Sequence, residues 1–410
     1  MKTKFKLIIS LCFICCCAIL FSGCASGAVD YFLTRFPEKI VYEKGEVPNF
    51  DGVKVETSNS DGTNALVRLK EENFSRVDTS TSGEKKVEIT KNGLSTAFNI
   101  YIADIVVNDS DNLKEIIANA KDGNIIYLKQ GNYEPKDAFD TRYKDVVIDK
   151  SLTIIGDGKD KTKFFGNFIV GANLVNNEYK NIDNFKDVKI MNIGFELPYT
   201  QKDNFIYYSG PYGKVDYNGA IRAFNTQNLS IIGCGFKGYA YGILGDDLTG
   251  FYCFNNNFRN ILKNAIKTTK NTKNATIHKN IFMDIATNVI SVDNNTQSSL
   301  GAIELSFAKE GNVGVIVAKN TFTRIGLHIG KDIYYDESAK TFANQTNEKL
   351  YKMSYVNNSS IITLKSSTTE DLEVNGIILS TNNYGQTLTN IRMKTIKTNS
   401  IDQNGVILVE

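Results

Sequence analysis

Two hydrophobic rhythms divide the chain. Between residues 28 and 104, apolar and polar positions alternate in short runs with a turn signal every ten or so residues. Lys39-Ile40-Val41-Tyr42, Val53-Lys54-Val55, Lys86-Val87-Glu88-Ile89 and Ala97-Phe98-Asn99-Ile100-Tyr101 carry the two-residue period of half-buried strands. Gly45, Asn59-Ser60-Asp61-Gly62 and Asn92-Gly93 supply the turns. This pattern predicts a small β-sandwich over residues 28–104.

From residue 105 the rhythm changes. Asn112 to Lys121 places Leu113, Ile116, Ile117 and Ala120 on one face of a helix, with Asn112 and Glu115 spaced as a capping box and Gly123 as the stop. Beyond it a longer period takes over. Aligning Ile190-x4-Phe195, Ile231-x4-Phe236, Cys253-x4-Phe258, Ile277-x4-Phe282, Val317-x4-Phe322 and Leu379-x4-Tyr384, the aromatic recurs at intervals of 41, 22, 24, 40 and 62 residues. Asn256, Asn280, Asn320 and Asn382 stand two residues before it, and Val188, Leu229, Phe251, Ala275, Val315 and Ile377 seven before. Ile243, Ala265, Val289 and Ile329 stand seven after. A unit of about 22 residues, with insertions or an unmarked extra turn, accounts for every gap.

Matched apolar positions on successive short strands mean one core built by stacking, in which each coil buries its neighbour. An asparagine repeated at one corner can donate and accept along the stack as an amide ladder. The predicted fold class is all-β: a right-handed parallel β-helix over 105–410, its crossover hand set by strand twist. The helix at 112–121 caps its first coil, and the sandwich precedes it. The 62-residue gap between Phe322 and Tyr384 leaves room for at least one further coil.

Composition agrees with extended structure. There are 31 glycines, 24 phenylalanines and 20 tyrosines against 5 prolines and no tryptophan. Basic and acidic residues nearly balance at 47 and 45, and no basic stripe of the kind nucleic acid requires is visible. Two histidines leave little room for a histidine-rich metal site.

Residues 1–23 read as an export signal. Lys2, Lys4 and Lys6 precede an apolar run from Leu7 to Leu20 that is short for a membrane span. Phe21-Ser22-Gly23-Cys24 resembles the lipobox of bacterial lipoproteins, which implies diacylation of Cys24, a short lipidated linker over 24–27 and membrane attachment in the bacterial cell envelope, at the outer membrane or cell surface. Loss of the leader removes Cys12, Cys15, Cys16 and Cys17 and leaves Cys234 and Cys253. The repeat sets these two on neighbouring coils but out of line, too far apart for a disulfide.

Two further resemblances follow from quoted motifs. Tyr42-Glu-Lys-Gly-Glu46, Phe50-Asp-Gly-Val-Lys-Val55 and Thr81-Ser-Gly-Glu-Lys-Lys-Val87 resemble bacterial immunoglobulin-like domains, which implies a spacer or adhesive role for 28–104. Gly123-Asn-Ile-Ile-Tyr-Leu-Lys-Gln-Gly131-Asn-Tyr133, Leu152-Thr-Ile-Ile-Gly-Asp-Gly158 and the Ile-x-x-Asn-x-Phe coils resemble the pectin-lyase-like superfamily of right-handed β-helices over about 105–410. That superfamily includes polysaccharide lyases, glycoside hydrolases and non-catalytic adhesins. Its enzymes act on the outside of one parallel sheet, at positions stacked ~4.8 Å apart.

The Gly-His-Gly element of polygalacturonases, the tryptophan-containing signature of pectin methylesterases and the Asp-His segment of pectate lyases are all absent. No catalytic residue carries over by motif, so candidates come from the register. The repeat aligns Arg222 with Leu244 and Ile266, then Ala223 with Gly245 and Lys267, then Phe224 with Asp246 and Thr268, then Asn225 with Asp247, Thr269 and Asp293. Arg222, Asp246, Asp247, Lys267 and Asp293 are therefore the candidate catalytic set. Clustered carboxylates suit Ca²⁺ or acid–base work, and the cations suit proton abstraction beside a uronate carboxylate.

Asp246-Asp247 after Gly245 equally suits a solvated turn. Tyr207, Tyr208, Tyr212 and Tyr217, in an insertion at 196–219, are candidate sugar-stacking residues or a self-packed loop. A second insertion spans 294–312. His278 and His328 read as ladder or surface residues. Two functions remain open: an acidic-polysaccharide binder with lyase-type or hydrolase-type cleavage, and an adhesin that binds host or neighbouring proteins. No metal ligand set is assigned.

Overall fold

The computed structural model describes residues 28–136, 140, 142–175, 178–197, 199–202, 205–208, 219–261, 263–285, 301–307, 312–325, 333–336, 341–344, 362–366, 375–380 and 383–384. The leader, Cys24 and the expected linker lie outside the described residues. The chain divides between Ile102 and Ala103 into two compact units.

The first unit is a sandwich of two three-stranded sheets. Ala28–Arg35, Lys54–Asn59 and Asn64–Val67 make one, and Val41–Tyr42, Leu94–Ile102 and Gly83–Lys91 the other. Asn92 and Gly93 take positive φ (50° and 80°) and join the last two strands as a two-residue hairpin. Tyr31, Tyr42, Val55, Val87, Ile89, Phe98, Ile100 and Ile102 form its core. The alternation marked four strands correctly, but Ala28–Arg35, which buries only Tyr31 along its length, carries too weak a pattern to read.

The second unit is a parallel β-helix. Its described strands form sheets of nine, eight and seven strands, each running strand to neighbour through successive coils. The nine-stranded sheet pairs Ile126, Ile154, Ile190, Ile231, Cys253, Ile277 and Val317 in one inward column, with Leu379 next in register. The eight-stranded sheet does the same with Tyr133, Phe164, Phe195, Phe236, Phe258, Phe282 and Phe322, with Tyr384 next in register. Phe195, Phe236, Phe258, Phe282 and Phe322 stack with centroids 4.6–5.2 Å apart and planes within 8°. One core cluster runs from Val107 to Ile362.

The corner between these two sheets explains the repeated asparagine. Asn192, Gly233, Asn255, Lys279 and Lys319 each adopt left-handed backbone, turning the chain in two residues. The next residue points inward. Asn280 Nδ2 donates to Cys253 O (2.9 Å) and Asn320 Oδ1 (3.0 Å), while Asn280 Oδ1 accepts from the Asn256 main-chain N–H (2.9 Å). Asn256 Oδ1 in turn accepts from the N–H of Cys234 (2.8 Å). The predicted ladder is therefore built. Cys234 and Cys253 are buried free thiols, and burial pushes the Cys234 thiol up to about 12.

Three expectations need correction. The helix spans Leu113–Asn119 and buries Leu113 and Ile117, but the Asn112 side chain caps nothing and the capping box does not form. The 62-residue gap hides no extra coil: Thr321–Ile325 pairs directly with Asn383–Tyr384, and an antiparallel hairpin, Ile333–Asp336 with Thr341–Asn344, sits in the insertion. The segment 294–312 is not one insertion, because Ile303–Phe307 is a strand of the seven-stranded sheet.

Candidate functional site

The seven-stranded sheet combines Val146–Ile148, Phe168–Val170, Ile221–Phe224, Tyr241–Asp246, Asn264–Thr268, Ile303–Phe307 and Ile362–Ser366. Alternation sends Ile221, Ile243, Ile266 and Ile303 into the core. The adjacent column then faces outward and reads Arg222, Leu244, Lys267, Glu304.

This register differs from the expected one at Lys267. Phe236 and Ile243 are separated by one residue fewer than Phe258 and Ile266, because the corner at 259–263 is longer than the one at 237–240. Lys267 therefore pairs with Leu244 rather than Gly245, and Ile266, not Ala265, aligns with Ile243. A one-residue slip exchanges faces, and here it brings Lys267 onto the same outward column as Arg222.

Glu304 is the residue that spacing missed. Its carboxylate, 2% exposed, lies 3.4 Å from Lys267 Nζ and 3.5 Å from Asn264 Nδ2. The alternation Ile303-Glu304-Leu305-Ser306-Phe307 was the available signal, hidden by the irregular interval before it. Lys267 also lies 5.9 Å from the Tyr241 ring centre, with Lys263 at 5.6 Å.

Arg222 sits at the other end of the column under a second hairpin, Ala172–Val175 with Glu178–Asn181. Its guanidinium lies 4.8 Å from the Tyr179 ring and 5.4 Å from Phe224, and these rings stack on each other at 5.7 Å. Arg222 Nε is buried and finds no acceptor among the described residues. Burial, and the neighbouring Asp145 carboxylate, push the Tyr179 phenol up to about 12. Asp145 is itself fixed by Asn167 Nδ2 at 2.8 Å.

The remaining candidates separate. Asp246 aligns with Phe224 but accepts from Lys270 Nζ at 2.8 Å and Thr269 Oγ1 at 3.3 Å. Asp247 has left-handed backbone (φ 54°) and accepts from Asn271 Nδ2, so it turns the corner and does not join the column. Asp293 lies outside the described residues, as do Tyr212, Tyr217 and His328. Tyr207 and Tyr208 belong to a hairpin in which Phe205–Tyr208 pairs with Tyr199–Lys202. His278 is on the outer face of the nine-stranded sheet, stacked on Phe254 at 5.8 Å, away from this column.

Among the described residues, this face carries the cations Arg222 and Lys267 with the carboxylates Asp246 and Glu304. Glycoside hydrolysis uses two carboxyl groups flanking the scissile bond, whereas Asp246 and Glu304 are each engaged by a lysine. Among the described residues, no three His, Cys, Asp or Glu side chains converge as metal ligands. In chain order, segments 134–145, 197–220, 286–302 and 326–361 each run from a strand of the eight-stranded sheet to a strand of this one.

Comparison with known proteins adds the following. Residues 36–101 match the model of the bacterial Ig-like domain (group 3), so the sandwich is an Ig-like domain. Comparison with curated proteins finds no match. Among solved structures, the chain is similar to the catalytic domain of a GH87 α-1,3-glucanase in complex with nigerose, at 12% identity and a TM-score of 0.33, covering 72% of this chain and 57% of that one. It is also similar to the catalytic unit of a thermostable GH87 α-1,3-glucanase from Streptomyces thermodiastaticus strain HF3-3, at 10% identity and a TM-score of 0.21, covering 87% and 74%. The chain thus spans little more than half of the first of these. Among the described residues, no helix is long and apolar enough to cross a membrane.

Proposed function

We propose that this chain is an exported surface protein, anchored through lipid on Cys24, whose β-helix binds an acidic polysaccharide along the outer face of the seven-stranded sheet. The observation that supports it is the outward column in which Arg222 and Lys267 stand two strands apart, roughly 9–10 Å along the stack, with Leu244 between them. A guanidinium held against two aromatic rings and an ammonium at that spacing suit carboxylates of a uronate chain. The Ig-like domain then serves as a spacer.

Binding fits this geometry better than cleavage. Elimination needs a base free to take the proton beside the uronate carboxylate, but Lys267 is already engaged by Glu304. Pectate, alginate and glycosaminoglycans are the test ligands, with and without Ca²⁺, read by calorimetry and by ultraviolet absorbance of unsaturated product. Binding without absorbance is expected. No binding to any of them ends this reading and leaves protein adhesion.

A further inference from the structure

The corner between the nine- and eight-stranded sheets carries a surface that neither the Arg222 column nor the asparagine ladder uses. Three coils in succession place Asn255, Lys279 and Lys319 at the same exposed corner position, all with left-handed backbone (φ 56°, 56° and 55°). Matching backbone sends these side chains out at the same angle, with neighbours about 4.8 Å apart along the stack. Lys279 Nζ lies 5.8 Å from the Phe254 ring centre, so its stem folds back across one coil onto the outer face of the nine-stranded sheet. Lys279 and Lys319 are both within electrostatic reach of His278 on that face.

That face is apolar beside the lysines. Alternation turns one column outward from Ser230 to Ile316 and a second from Ile232 to Ala318. Tyr252, Phe254 and His278 form a row of near-parallel rings across them, 5.7 and 5.8 Å apart. Among the described residues of the β-helix, the exposed large apolar side chains are Val175, Ile281 and Ile316, and two of these three flank the lysines. Ile316 is 37% exposed on this face, and Ile281 is 40% exposed immediately beyond the corner. Neither column carries a carboxylate over these coils, and nor does the corner. The strands are entered through 225–226, 247–251, 269–275 and 308–311 and left through two-residue corners, so no long segment begins or ends at them.

We infer that this edge is a membrane-contact surface, with Ile281, Ile316, Phe254 and Tyr252 entering the headgroup level of a bilayer and Lys279 and Lys319 on anionic headgroups. Lysine stems lying along apolar surface with their ammonium groups at its rim, beside a tyrosine with one apolar and one wet end, match the chemistry of that interface. Each lysine near an anionic bilayer strengthens attachment roughly fivefold. Two cations are too few for tight capture of nucleic acid, and exposed isoleucines offer a sugar no hydrogen bond. The inference stands apart from Arg222 and Lys267. The lipid proposed on Cys24 would hold the edge at high effective concentration beside a bilayer, so weak attachment suffices.

The test is co-sedimentation of the chain from Ala25 onward, which keeps both compact units and lacks the leader and Cys24. Its partners are vesicles of phosphatidylcholine and vesicles of equal parts phosphatidylcholine and phosphatidylglycerol. Attachment to the mixed vesicles, weaker attachment to the neutral ones and release in high salt are expected. Lys279→Asn with Lys319→Asn copies the asparagine already present at 255 on the same corner, and should weaken attachment at least about tenfold with the melting temperature kept. Ile316→Asn leaves the charge unchanged and should weaken it roughly threefold; it serves if the double variant does not fold. No attachment, equal attachment to both vesicles, or attachment that either variant leaves unchanged would overturn the inference. Loss of acidic-polysaccharide binding in the lysine variant would assign the edge to the glycan and overturn it too. Arg222 and Lys267 are untouched in every arm, so the polysaccharide reading stands or falls separately.

Discussion

The two units of this chain solve the problem of burying strands in opposite ways. The Ig-like domain pairs strands that are near in sequence, as in the hairpin of Gly83–Lys91 with Leu94–Ile102, and closes a small core among its own residues. The β-helix pairs strands a full coil apart, and the inward residues of its inner coils are covered by the coil above and the coil below. A defect in the sandwich falls on one small core that both of its sheets share. A defect in the helix reaches two neighbours, since Phe258 contacts both Phe236 and Phe282.

The comparison can be broken by experiment. Phe258→Ala carries the largest expected effect: about 3–5 kcal/mol for an emptied aromatic site, lowering the calorimetric transition of the helical unit while that of the Ig-like domain stays in place. A single transition moving as one would show the units do not melt separately. Next comes Lys267→Met, which removes the cation beside the buried Glu304 carboxylate. The cost is roughly 2–3 kcal/mol, below the ~3–5 of a fully enclosed pair because Lys267 keeps 17% exposure. Adding Glu304→Gln should recover most of it in urea denaturation, and additive losses would mean the pair is not coupled.

In the sandwich, Tyr42→Phe removes a hydroxyl that donates toward Asn49 O (2.8 Å) and Lys39 O (2.9 Å). A loss of ~1 kcal/mol confined to the Ig-like transition is expected. The smallest effect belongs to His278. Burial, then Lys279 and Lys319, lower its pKa in the folded chain. The unfolded chain therefore binds the proton more readily, and stability falls as pH drops below the ordinary imidazole value of about 6.5. Melting temperatures of the native chain and His278→Gln should converge near pH 8 and separate toward pH 5, with the variant losing less.

How far the sequence could be read follows from where spacing was kept. Two-residue corners beside Asn255 and Lys279 preserve the interval from Ile to Asn to Phe, so the stack, the ladder and the inward columns were legible. The corner leading to the seven-stranded sheet changes length from coil to coil. One residue there misaligned Lys267, and the interval before Ile303 concealed Glu304 altogether. Asp247 shows the limit of reading charge: the turn that Gly245-Asp246-Asp247 also suited forms at Asp247, whose left-handed backbone takes it off the sheet. Gly194 and Gly235 look like turn residues in sequence, and only the fold shows both on adjacent strands packed under Lys159.

That variable corner carries a consequence for how such a protein can diversify. Segments 197–220, 286–302 and 326–361 leave and rejoin the same rungs without displacing the Phe195-to-Phe322 stack. New recognition loops could be grafted or exchanged along that one edge over generations while the scaffold beneath them kept its shape.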